Sequence, residues 1–318
     1  MAERSLGLAL SSGAARGWAH VGVLRGLDEL GIKPKVISGC SVGALVGGAH
    51  LAGVLDDLCV WARELSPLTA LSQFGFAIGR GGLISSERAF AAFEEAEQDI
   101  RDLDVTFGAV ATDLATGQPI EMISGSLIRA VRASTAIPIL FNAVEHDGRW
   151  LVDGALADPM PVGLARRLGA EVVIGVDLTG VPRTLERFDS PPPGLPAVID
   201  QQPQDETPLP AAMSKLIADT RSYIDRQLAA AKARTKAQPQ LFETALAAAD
   251  IFQMHLTAAR ARYEAPDIHL KPDMRQALPT EFDRADEFIE EGRRAILAQE
   301  ERLRLLLSAE PTHANAIA

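Results

Sequence analysis

The sequence predicts an α/β fold: an open, mainly parallel sheet flanked by helices on both faces, with a helical C-terminal extension. Three observations carry that expectation. Over the first 180 residues short apolar runs alternate with helical patterns; the runs are apolar throughout; and helical periodicity resumes after residue 211. A strand covered on both faces needs apolar side chains at every position, whereas a half-exposed strand alternates. With 318 residues, 47% hydrophobic and 23% charged, the chain has the material for a sizeable core and lacks the composition of a disordered polymer.

Residues 6–10, Leu-Gly-Leu-Ala-Leu, read as the first strand, and the small residues 11–17 as the loop that leaves it. Residues 18–30 have helical spacing, closed by Gly31 with Pro34 beyond. Residues 36–38 read as the second strand, running into Gly39-Cys40-Ser41-Val42-Gly43, and residues 44–52 as a helix of small side chains. Further strands are expected at 105–111 and 120–123, joined by the turn-like Asp113-Leu-Ala-Thr-Gly117, and at 150–152 and 172–176. Gly81-Gly82 and Gly125 mark loops.

Composition shifts after residue 180, where eight of the 19 prolines fall between residues 181 and 210. That stretch predicts an extended linker or a lid. A helical pattern over 211–236 follows, with Met213, Leu216, Ile217, Ile224, Leu228 and Ala231 on one face and six basic side chains against Asp219 and Asp225 on the other. Such a face permits peripheral contact with anionic lipid, although an apolar stripe of this kind more often docks on its own core. A helix over 241–261, a late strand at 268–270 and a closing helix over 282–307 complete the chain. The expected organisation is therefore a first domain at 1–180, a linker or lid at 181–210, and a helical extension at 211–318 packed on the core.

Charge and cysteine content exclude several function classes. The net charge of −11, from 31 basic and 42 acidic side chains, does not supply the basic footprint of a nucleic-acid-binding protein. Two cysteines, Cys40 and Cys59, make neither a disulfide framework nor a four-thiolate metal site, and read as free thiols in a reducing compartment. The N-terminal apolar run is too short for a signal peptide, and no window of about 18 apolar residues suits a membrane span. A cytoplasmic protein, with at most peripheral membrane contact, is the expectation.

Gly39-Cys40-Ser41-Val42-Gly43 fits the nucleophile-elbow spacing Gly-x-Ser-x-Gly, with an apolar strand before it and a helix after it. Glycines at 39 and 43 let a strand turn sharply into a helix while Ser41 is held strained and exposed to substrate. The loop Ser11-Ser-Gly-Ala-Ala-Arg-Gly17 also joins a strand to a helix, and its small residues let backbone N–H groups converge on an anion, as an oxyanion hole requires. Arg16 either braces that loop or faces a phosphate. Gly13, Gly17 and Gly22 do not have dinucleotide-fingerprint spacing, and no Gly-Lys-Ser/Thr follows for a P-loop. Asp153-Gly154-Ala155 ends an apolar run, which places a carboxylate at a strand end. No histidine completes an evident triad: His20 and His50 fall in predicted helices, and His255, His269 and His313 lie outside any glycine-bounded loop.

Together these residues resemble the bacterial patatin-like phospholipases, which carry Gly-Gly-Gly-x-Arg/Lys-Gly, then Gly-x-Ser-x-Gly, then Asp-Gly-Gly/Ala. Residues 12–17, 39–43 and 153–155 occupy these places in order, and Ala111–Gly117, 132–138 and 158–162 are similar as well. The resemblance is strong over residues 5–180 and loose beyond. It implies a patatin-like sheet wrapped by helices and a Ser–Asp dyad without histidine, metal or cofactor. Ser41 becomes the nucleophile and Asp153 the base. Gly13, Ala14 and Ala15 become the oxyanion donors, with Arg16 and Gly17 supporting the loop. The implied substrate is a lipid acyl ester, a phospholipid or lysophospholipid. Ser12 and Ala14 stand where the family pattern has glycine, and Asp158 where it often has Asn. A positive φ at Ala14 would strain the loop. Two further readings share the scaffold: acyl transfer to an acceptor other than water, and a weak or inactive regulatory or lipid-binding protein.

Overall fold

The computed structural model describes residues 4–64, 96–138, 141–179, 241–274, 277 and 281–309. Its elements are β1 (Leu6–Leu10), α1 (Trp18–Glu29), β2 (Val36–Cys40), α2 (Val42–Leu51), α3 (Leu55–Glu64), β3 (Thr106–Asp113), β4 (Pro119–Met122) and α4 (Leu127–Ser134). They continue as β5 (Val144–His146), β6 (Arg149–Asp153), α5 (Val162–Arg167), β7 (Val172–Val176), α6 (Leu241–Arg260), β8 (Ile268–Leu270), α7 (Ala285–Leu297) and α8 (Glu300–Ser308). By contacts the chain divides into two compact units: residues 1–181 with 249–318, and residues 182–248. The expected linker or lid at 181–210, the basic helix at 211–236 and the Gly81-Gly82 loop lie outside the described residues.

Among the described residues eight strands form one mixed sheet, paired in the order β5-β6-β3-β2-β1-β7-β8, with β4 on β3. The central pairs β1–β2, β1–β7, β2–β3 and β7–β8 are parallel, and β3–β4, β3–β6 and β5–β6 antiparallel. The apolar runs are buried at every position in β1, β2 and β7, as strands covered on both faces must be. Successive side chains point to opposite faces. Leu6, Leu8 and Leu10 of β1, Ile37 of β2 and Ile174 of β7 enter a large core shared with α1, α2, α4 and α7. Ala9, Val36 and Val173, one residue out of phase, enter a smaller core under α5 with Val162 and Ala165.

Among the described residues the predicted elements are present with shifted ends. Helix α2 starts at Val42 because the turn after Ser41 is already helical. The closing helix is broken around Gln299 into α7 and α8. The bend buries Leu303 and Leu307 and brings the Leu307 carbonyl to the Arg4 N–H at 3.2 Å. Helix α4, absent from the sequence reading, is capped by Ser126, whose Oγ accepts from the Arg129 N–H at 3.0 Å.

Candidate active site

Because β1 and β2 are adjacent and parallel, the loops leaving their C-terminal ends lie side by side. This is the edge where open α/β sheets place their ligands. One loop is 11–17 and the other is the turn at Ser41. Asp153 arrives by a different route. Val110 of β3 pairs with Cys40 of β2 and with Glu121 of β4, while the next residue, Ala111, pairs with Ile120 of β4 and with Asp153 of β6. A strand has two edges, so β2 and β6 lie end to end along the edge opposite β4. Asp153 therefore stands where β2 gives way to Ser41.

Ser41 has φ 53 and ψ −122, a left-handed backbone that non-glycine residues rarely adopt. The glycines around it make room for the turn. A Cβ at Gly39 would lie 2.5 Å from the Ala44 backbone, and one at Gly43 would lie 2.2 Å from the Leu10 carbonyl oxygen. The Ser41 N–H donates to Ser134 Oγ at 2.9 Å, and the Ser134 hydroxyl donates to the Val110 carbonyl at 2.6 Å. The strained residue is thus tied to β3 through α4.

The Ser41 hydroxyl donates to Asp153 Oδ2 at 2.6 Å. The other carboxyl oxygen accepts the Ala155 N–H at 2.8 Å. The Asp153 backbone is held on both sides, its N–H donating to the Ala136 carbonyl at 2.9 Å and its carbonyl accepting from Thr112 Oγ1 at 2.8 Å. Burial pushes the Asp153 carboxyl from 3.8 up to about 6, against the opposing pull of the hydrogen bonds from Ser41 and Ala155. A carboxylate so placed is ionised at neutral pH yet roughly a hundredfold more basic than an ordinary one. Such a pair can take a proton from a hydroxyl as that hydroxyl attacks.

In the first loop, Ala14 has φ 50, so the strain anticipated there is present. Ala14–Gly17 form a single 3-10 turn leading into α1, and Gly17 is buried against Val42. No intramolecular acceptor meets the N–H groups of Gly13, Ala14 or Ala15 among the described residues. Arg16, expected either to brace this loop or to face a phosphate, is 2% exposed and turned inward. Its Nε donates to the Gly13 carbonyl at 3.2 Å, and its guanidinium pairs with Asp250 of α6 at 2.6 Å. Ser12 donates its hydroxyl to Gln253 Oε1 at 2.6 Å. His20 donates from Nε2 to the Ser11 carbonyl at 2.7 Å, and burial lowers it to about 4, so it is neutral.

Among the described residues no histidine hydrogen-bonds to Ser41 or Asp153. His269 pairs instead with Asp177 at 2.8 Å, and His313 lies outside the described residues. Cys40 is fully buried, and burial, reinforced by the charges of Asp153 and Asp158, raises its thiol far above the usual range. No group of three or more His, Cys, Asp or Glu suited to a metal occurs among the described residues. Sequence reasoning missed Ser134, Asp250, Gln253 and Arg260. One signal could have found Asp250: it is a lone acidic residue in the apolar run 245–252.

The described residues include no helix long and apolar enough to cross a membrane. Among curated proteins, the chain is 40% identical over 175 residues to uncharacterised NTE family proteins of Mycobacterium bovis and Mycobacterium tuberculosis. The match covers 54% of this chain and 49% of theirs, so the chain spans about half the length of these relatives. It is 28% identical over 232 residues to a lysophospholipase of Emericella nidulans, covering 68% of this chain and 15% of that one. The crystal structure of VipD from Legionella pneumophila superposes with a TM-score of 0.43 at 13% identity, over 95% of this chain and 67% of VipD. The patatin-like phospholipase family model matches residues 8–166, half of the sequence, from within β1 into α5, and the chain belongs to that family.

Proposed function

We propose that this chain hydrolyses lipid acyl esters, with Ser41 as nucleophile, Asp153 as base and the N–H groups of Gly13, Ala14 and Ala15 as the oxyanion hole. The observation that carries the reading is the 2.6 Å hydrogen bond from a strained serine to a buried carboxylate of raised basicity. Ser41 Oγ attacks the ester carbonyl while its proton passes to Asp153. The tetrahedral oxyanion is held by backbone donors, each worth about 3 kcal/mol in such sites. Asp153 returns the proton to the departing alcohol, then takes one from the water that attacks the acyl-enzyme and passes it to Ser41 Oγ as the fatty acid leaves. Family membership and a relative named as a lysophospholipase favour a phospholipid or lysophospholipid substrate, met by a cytoplasmic or membrane-peripheral enzyme. No step calls for a metal or cofactor.

The test is intact-mass labelling with a fluorophosphonate, together with turnover of lysophosphatidylcholine, on wild type and Ser41→Ala. One adduct and free fatty acid release, both lost in the variant, are expected. A folded wild type that neither labels nor turns over would overturn the reading in favour of a lipid-binding or regulatory protein on this scaffold. Acyl esters of an added alcohol as the main product would assign acyl transfer instead.

A further inference from the structure

Helix α6 carries Asp250, Gln253, Thr257 and Arg260 at the spacing of one helical face, and polar residues of that face hold the site at three points. Asp250 makes the ion pair with Arg16, their side chains 9% and 3% exposed. Gln253 accepts from Ser12. Arg260 meets Asp158 at 2.9 and 3.0 Å, and the Asp158 N–H donates to the Gly154 carbonyl next to Asp153 at 2.8 Å. Ser12 and Asp158, two positions where the sequence departs from the family pattern, thus both have partners on this helix.

The consequence reaches the oxyanion loop through one peptide plane. The Gly13 carbonyl accepts from Arg16 Nε and from the Arg16 N–H, each at 3.2 Å. The Gly13–Ala14 peptide is planar and trans, so fixing its carbonyl aims the Ala14 N–H in the opposite direction. A guanidinium this buried keeps its place only while its counter-charge is present.

We propose that Asp250 is a positioning residue that, through Arg16 and the Gly13 carbonyl, aims the Ala14 N–H into the oxyanion hole, and that Gln253 secures the same loop through Ser12. The inference rests on the oxyanion role proposed above for residues 13–15.

The test uses the full chain with Asp250→Asn, Asp250→Glu, Gln253→Ala, Ser12→Gly and the Gln253→Ala/Ser12→Gly double variant. Three quantities are read: the second-order rate of Ser41 labelling by a fluorophosphonate, kcat and KM on a short-chain ester, and amide exchange of residues 12–18. For Asp250→Asn the labelling rate and kcat should fall at least about tenfold with KM nearly unchanged, because a misaimed donor loses transition-state contact and little ground-state binding. Exchange at 12–18 should quicken, and Asp250→Glu should restore part of both. Unchanged labelling and unchanged exchange in Asp250→Asn overturn the proposal. If Asp250→Asn does not fold, the Gln253–Ser12 cycle decides: the double variant should be no worse than the poorer single one, and multiplying effects overturn it. A wild type that never labels sinks the proposed function alone; loop exchange in the variants then decides whether α6 holds the loop.

Discussion

The Ser41 hydroxyl lies 2.6 Å from Asp153 Oδ2 across 112 positions of sequence, because β2 and β6 end against each other on one edge of β3. The contact joins a strained donor to an acceptor whose proton affinity burial has raised. Asp153 must be ionised to accept the Ser41 proton, so kcat/KM should lose activity on the acid side with an apparent pKa of about 6. Well below that value, activity should drop about tenfold per pH unit. Rates on a neutral short-chain ester between pH 4.5 and 8 check this. Activity holding level down to nearly pH 4.5, as a carboxylate of ordinary acidity would give, would contradict the basicity assigned to Asp153.

The same carboxyl should make the fold less stable at neutral than at acid pH. Its folded value lies above the ordinary 3.8, so the folded state holds a proton that the unfolded chain has released. The stabilisation is complete below about 3.8 and is lost as pH rises through about 6, to a limit of about 3 kcal/mol. Asp153→Asn should therefore gain stability at pH 8 and little at pH 4.5, while activity falls by roughly three orders of magnitude or more. Asp158, which burial also pushes up to about 6 against the opposing charge of Arg260, keeps part of the pH dependence in the variant. Urea melts at the two pH values are the measurement.

Ser134 offers a test of how the turn is held. Ser134→Ala removes the acceptor of the Ser41 N–H and the donor to the Val110 carbonyl, leaving both in a buried setting. A loss of about 1–3 kcal/mol in stability is expected. Slower fluorophosphonate labelling should accompany it, because Ser41 is freer to relax from φ 53. Stability lost with the labelling rate unchanged would show that the turn holds itself.

Ala14→Gly should stabilise the protein. Its φ of 50 costs an L-residue about 1–2 kcal/mol, part of which glycine gives back through its freer unfolded chain. A net gain of up to about 1 kcal/mol in urea unfolding is expected, with Ser41 labelling no slower than wild type. A loss of stability would mean that the alanine methyl makes packing contacts worth more than the strain.

The sheet was legible in sequence because β1 and β7 are buried on both faces, which writes an unbroken apolar run, while β2 begins as one and runs into the glycine-flanked Ser41. The glycines at 39 and 43 were legible because the turn at Ser41 leaves no room for side chains. Strand β5 was not: it has three residues, Val144–His146, none of them fully buried, and its pairing to β6 depends on a turn rather than on a hydrophobic pattern. Nor could spacing reveal that Asp153 would meet Ser41, since that follows from β2 and β6 sharing an edge of β3. Ser134, Asp250 and Gln253 reach the site through hydrogen bonds or ion pairs to residues 93, 234 and 241 positions away, and such pairings leave no periodicity. The small residues of loop 11–17 marked its backbone as the part to examine. They did not announce that the loop is braced from a helix beyond the family match.

That brace separates what is inherited as a recognisable unit from what can be made as one. The family match ends at residue 166, yet Arg16 finds its counterion only at Asp250. On the ribosome the guanidinium is synthesised 234 residues ahead of its partner, and Ser41 and Asp153 are both complete long before the loop beside them can settle. A fragment cut at the end of the family match would hold Ser41 and Asp153 together with a cation that has lost its buried anion. Acquisition of activity during synthesis should therefore wait for α6.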